Sequence, residues 1–98
     1  MSLTYEEQEM TREDLARAMA ELGLTPEQVA VALGTTPQNL RRVMQLDIHR
    51  LEDPWVLRNY LLEQAAERRV PVTFRVLNRD YHKLWFLDAA YIDRGQIA

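Results

Sequence analysis

Two helix starts, Thr25-Pro26 and Thr36-Pro37, stand eleven residues apart with Gly34 between them. A threonine hydroxyl accepts from the free amides of a first helical turn, and a proline at the first helical position gives up an amide that has no helical partner anyway. Gly34 readily takes the left-handed conformation that ends a helix. The stretch of about 25–46 is therefore committed to a short helix, a tight turn and a second short helix.

The same signals organise the rest of the chain. Thr4 with Glu7, and Thr11 with Asp14, both have the spacing of a capping hydroxyl and a reciprocating acid, so either can open a first helix. Leu15, Ala18, Met19 and Leu22 then recur at helical spacing, Gly23 supplies the stop, and the outer face is acidic. In the second helix Gln28 is placed to bond back to Thr25, and Val29, Ala30 and Leu33 face inward. In the third, Leu40, Val43 and Met44 form the buried stripe, which leaves Gln38, Arg41, Arg42 and Gln45 outward. Asp53-Pro54 opens a fourth helix expected to run to about Arg69, where Val70-Pro71 ends it. Trp55, Val56, Leu57, Tyr60, Leu61, Leu62, Ala65 and Ala66 cover too much of its circumference for one buried stripe. That helix must be central, or buried against another chain.

The C-terminal extension, 70–98, supports two patterns. Val70, Val72, Phe74 and Val76 alternate as a strand does, whereas Phe74, Leu77, Tyr81 and Leu84 follow helical spacing. A small hairpin and irregular or helical segments have equal claim, with Asp88 capping a last turn that stops before Gly95. The expectation is a mainly α, small helical domain of about four helices with a short aromatic extension, a single domain over 1–98.

Length and composition agree. Ninety-eight residues make one modest core, and 47 % hydrophobic with 28 % charged residues, three Gly and four Pro is a globular balance. The absence of cysteine excludes disulfides, thiolate metal sites and a cysteine nucleophile. No stretch approaches the roughly 20 apolar residues of a membrane span, and the first ten residues have no secretory pattern, so a soluble cytoplasmic protein without a membrane partner is expected.

The residues of the corner resemble the helix-turn-helix superfamily of bacterial DNA-binding proteins. Val29 packs inward, Ala30 is small where the helices cross, Leu33 and Gly34 close and turn the first helix, and Leu40 and Val43 bury the second. Thr35 departs from the pattern, since such turns more often carry an aliphatic side chain. The resemblance implies contacts to double-stranded DNA in its major groove from Thr36, Gln38, Asn39, Arg41, Arg42 and Gln45. Gln38 suits adenine, Arg41 or Arg42 suits guanine or phosphate, and Thr36 suits a phosphate at the helix start.

Across nearly its whole length the chain also resembles a family of short, uncharacterised bacterial proteins, a domain of unknown function with a helix-turn-helix fold. "MSLT", "LGTTPQNL", "EDPWVLRNYL" and "DYHKLWFLDAAYIDRGQI" carry that resemblance. It implies a fold and a DNA-binding role but no ligand and no catalytic residues.

Charge bears on the DNA expectation from both sides. The chain holds 15 acids and 12 bases, a net of -3. Residues 1–24 hold six acids and two bases, residues 25–50 hold two acids and three bases (Arg41, Arg42, Arg50), and the remainder balances. The acidity sits in the first helix, away from the proposed reading helix. Two or three arginines neutralise few phosphates, so firm binding calls for a homodimer, joined through the fourth helix or the aromatic tail. The alternative is a protein-interaction or dimerisation module whose corner never meets DNA.

Other candidates are weaker. His82 among Tyr81, Trp85 and Phe86, with Asp80 and Asp88 nearby, can be read as a ligand pocket or metal site. It is better read as aromatics closing a core, a histidine satisfying a backbone carbonyl and aspartates capping turns. His49 is expected in the loop between the third and fourth helices, facing solvent. Glu6, Glu7 and Glu9 read as a solvated face, and Arg68-Arg69 as complementing a helix dipole. Ser2, the only serine, lacks a neighbouring base, and no glycine-rich phosphate loop is present. No enzyme, cofactor or metal is expected, and an effector is not specified.

Overall fold

Thr4 opens the first helix with a complete capping box. Its hydroxyl accepts from the Glu7 amide at 3.1 Å, and the Glu7 carboxylate accepts from the Thr4 amide at 2.9 Å. The resulting α1 (Tyr5–Leu22) ends at Gly23, whose φ of 66° is left-handed. Thr11, the competing start, lies buried inside α1 and donates its hydroxyl to the Glu7 carbonyl. In this computed structural model, which describes residues 3–48 and 50–97, α1 leads to α2 (Pro26–Leu33), α3 (Pro37–Met44), α4 (Asp53–Arg68) and α5 (Ala89–Asp93), with a 3-10 turn at Tyr81–Lys83. Ser2 and His49 lie outside the described residues, so nothing here bears on either.

Thr25 and Gln28 form a second capping box, and Thr36 caps α3 through the Asn39 amide at 3.1 Å. Three residues join α2 to α3, beginning with Gly34 at φ 71°. Thr35 has a physical reason to be there: its hydroxyl accepts from the Asn39 side-chain amide at 2.9 Å, tying the turn to the first turn of α3. Leu33, Leu40 and Val43 are fully buried, and Met44 is half-buried against them.

The fourth helix is central within this one chain, packed by α1, α3 and α5. Its residues 53–58, with Leu61 and Ala65, are buried, while Leu62 and Ala66 are exposed. The helix starts at Asp53 and ends at Arg68, as expected, but Asp53 does not cap it. Its N-cap is Glu52, with no side-chain cap bond, and Asp53 is instead directed into the interior, where it accepts from the Tyr91 hydroxyl at 2.7 Å. Arg68 lies in the last turn of α4, as expected, and its guanidinium also reaches the Leu22 carbonyl at the end of α1, at 2.5 Å.

No strand forms among the described residues, so the hairpin is absent. Side chains from two helices bond backbone groups at 75, 77 and 79. Asp14 of α1 accepts from the Arg75 amide at 2.8 Å, and Arg58 of α4 donates to the Leu77 and Arg79 carbonyls, each at 3.2 Å. Burial follows the helical-spacing set, with Phe74, Leu77 and Tyr81 inside, although the segment is not helical. Asp88 does cap the last helix, through the Tyr91 amide at 3.1 Å.

Beyond α5 the chain returns to the corner. The Ile97 amide donates to the Leu33 carbonyl at 2.8 Å, and the Gln96 side chain donates to the Ala32 carbonyl at 3.3 Å. These bonds satisfy carbonyls that the end of α2 leaves without helical partners. Ile97 is buried to 1 % exposure, so the extension fastens the two-helix corner onto α4.

Candidate nucleic-acid interface

The outward face of α3 is set by its buried one. With Leu40 and Val43 packed inward, helical periodicity leaves Gln38, Arg41, Arg42 and Gln45 exposed, with Thr36 exposed at the cap. The four side chains share one face, and Thr36 stands at the N-terminal end of the helix. Asn39 is half-buried, and its side-chain amide is turned back onto Thr35, so it serves the turn.

Neither arginine is idle. Arg41 reaches across the corner to Glu27 of α2 at 2.5 Å, and Arg42 reaches Asp47, just after α3, at 3.4 Å. The Glu27 carboxyl lies below its usual range, held there by its own backbone amide in the first turn and then by Arg41. Side chains of both pairs are more than half exposed. Exposed ion pairs contribute only about 0–1 kcal/mol, so a phosphate can displace either carboxylate at small cost.

Sequence reasoning did not single out Arg12. It lies on α1, pairs with Glu9 and donates to the Gln45 carbonyl at 3.3 Å, which brings a third guanidinium to the end of α3. Its position depends on how α1 packs, and no local spacing announces that. Arg50, counted among the basic residues of this region, instead stacks on Tyr91, its guanidinium carbon 4.6 Å from the ring centroid.

The aromatic tail forms a separate cluster. The His82 ring stacks on Tyr81, and its two nitrogens lie 2.9 Å from an oxygen of Asp80 and 2.9 Å from one of Asp93. The histidine therefore bridges two carboxylates, not a backbone carbonyl as expected. Hydrogen bonding of the ring to the carboxylates of Asp93 and then Asp80 raises its pKa. Asp80 also caps the 3-10 turn through the His82 amide, as expected of it. Among the described residues no group of three or more metal-ligating side chains is arranged to hold an ion.

No helix of the described residues is long and apolar enough to cross a membrane. No curated protein and no solved structure matches the chain. Residues 1–88 match a family described as "uncharacterized protein conserved in bacteria" (DUF2316), and the chain belongs to that family.

Proposed function

We propose that this protein is a helix-turn-helix DNA-binding protein acting in the cytoplasm as a dimeric transcription regulator, with α3 as the helix that enters the major groove. The observation that carries this reading is the composition of one face: Gln38, Arg41, Arg42 and Gln45 point outward from α3, Thr36 is exposed at its start, and no acidic residue lies within the helix. Amides read base edges and guanidinium groups grip guanine or phosphate, which is the chemistry such a face supplies. Two copies related by a two-fold axis, with their α3 helices about 34 Å apart, would address successive major grooves.

Fluorescence anisotropy with a pool of genomic duplex fragments, across a salt series, tests the reading. Binding should weaken steeply with salt, and the paired change Arg41→Ala with Arg42→Ala should lower the slope of log K against log salt by up to about 2 per copy. Glu27→Gln should tighten binding, because it frees Arg41 from its competing carboxylate. No binding at low salt, or no response to the arginine changes, would sink the proposal.

A second reading, an interaction module that does not meet DNA, is favoured by one observation: Trp85 is 90 % exposed. Self-association without any DNA binding would select it.

A further inference from the structure

Trp85 lies between Leu84 and Phe86, two of the residues that line a cleft of about 430 Å³. Apolar side chains from three parts of the fold line it: Leu46 and Ile48 after α3, Leu51 and Pro54 at the start of α4, and Leu84 and Phe86 on either side of Trp85 itself. The indole meets Phe86 edge to face, with centroids 5.9 Å apart, and is otherwise open to solvent. A knob of this size beside an apolar hole, on one surface of one chain, is the arrangement a two-fold interface requires. In such an interface each copy must offer both halves of the contact.

We infer that the occupant of this cleft is Trp85 of a second copy of the same chain, inserted reciprocally across a two-fold axis. The inference takes up the dimer of the preceding reading but not its DNA contact. Area supports it: an indole buries up to about 250 Å² and its receiving surface a similar amount, so two reciprocal insertions remove roughly 1,000 Å², the threshold of a specific interface. Charge supports it as well. The cleft is bordered by Glu7 of α1 and by Arg79 of the extension, whose guanidinium is held by no hydrogen bond or ion pair among the described residues. A two-fold rotation can bring the acid of one copy toward the base of the other. Leu51, 49 % exposed within the lining, would be covered in the same step.

Analytical ultracentrifugation of the full chain over a concentration series, without DNA, is the test. The unmodified protein should dimerise. Trp85→Ala, which removes the knob, should weaken dimerisation at least about 100-fold, because two interfacial tryptophans are lost at once. Leu51→Glu, which places a charge in the hole, should do the same. Both sites are exposed, so circular dichroism and melting of the dilute monomers should stay unchanged, and a loss of folding cannot mimic the result.

The decisive arm mixes the two variants. Trp85→Ala keeps its hole and Leu51→Glu keeps its knob, so the mixture, with one intact insertion, should associate more strongly than either variant alone and more weakly than the unmodified protein. A monomeric unmodified protein, a Trp85→Ala variant that dimerises as the unmodified protein does, or a mixture no more associated than its separate variants at any concentration would each overturn the inference. So would saturable binding of decanoate to the monomer, seen as a shift in Trp55 emission and lost in Leu51→Glu, which would assign the cleft to a small amphipathic ligand.

Discussion

The hydroxyl of Tyr91 donates to the carboxylate of Asp53 at 2.7 Å, joining α5 to the first residue of α4 in the interior of the fold. Both residues are buried, at 4 % and 6 % exposure. The Tyr91 ring also carries the guanidinium groups of Arg50 and Arg94, at 4.6 and 5.3 Å. Tyr91→Phe keeps the ring and removes only the donor. The expected loss is about 1–2 kcal/mol, since a hydrogen bond to a buried charged group is given up, and chemical denaturation measures it. A change indistinguishable from zero would show that the hydroxyl does not hold α5 in place.

Asp14 is the corresponding joint between α1 and the extension. Its carboxylate accepts from the Arg75 amide at 2.8 Å and from the Arg75 guanidinium at 3.0 Å, with Arg17 at 3.1 Å. Burial pushes its pKa up, but the hydrogen bonds from Arg75 outweigh burial, so the carboxyl titrates below its ordinary value. A depressed folded-state pKa stabilises the fold above the unfolded value near 3.8, and that stabilisation is lost as pH falls through the folded value. Asp14→Asn should cost about 2 kcal/mol at neutral pH, and the gap between variant and parent should close in acid. Melting both proteins from pH 7 down to about pH 2 tests this; a gap that stays constant would contradict it.

His82 works with the opposite sign. Its pKa is raised by hydrogen bonding of the ring to the carboxylates of Asp93 and then Asp80, which joins the 3-10 turn to α5. A raised histidine stabilises fully below the unfolded pKa of 6.5, and the contribution is lost as pH rises through the folded value. Protection factors of the α5 amides, corrected for intrinsic exchange, should therefore fall as pH rises above 6.5, and His82→Gln should remove that dependence. A ring titration by NMR with a midpoint at or below 6.5 would contradict the bridge.

Gly34 and Gly23 separate two costs. Both hold left-handed backbone, with φ of 71° and 66°, so alanine at either should cost about 1 kcal/mol for the conformation alone. A Cβ at Gly23 meets nothing, whereas one at Gly34 collides with the Gln96 side-chain oxygen. That side chain is exposed and can move, at the loss of its bond to the Ala32 carbonyl. Gly34→Ala should thus be slightly worse than Gly23→Ala, and Gln96→Ala should erase the difference. Equal costs without that second change would show that the extension does not press on the corner.

What could be read from the sequence was what is decided within a few residues. Thr4, Thr25 and Thr36 cap helices, Gly23 and Gly34 end them, and Asp88 caps the last turn, because each bonds three to five residues away. Asp53 opens α4 as its signal predicts, but its role in the interior is not local, because its partner, Tyr91, is 38 residues distant. The alternation of Val70, Val72, Phe74 and Val76 suggested a strand, but Asp14 and Arg58 bond backbone groups at 75, 77 and 79 from helices 61 and about 20 residues away. The outward set on α3 followed from its buried positions. Its pairing with Glu27 did not, because that contact exists only once the corner closes.

The most direct test of the α3 assignment is a nitrogen-15 NMR titration of the full chain with a duplex selected from the genomic pool. The account predicts amide and side-chain shifts concentrated on residues 36–45, with the guanidinium resonances of Arg41 and Arg42 among them, and little change in α5. Shifts confined to the surroundings of Trp85, or none under low-salt conditions, would contradict it.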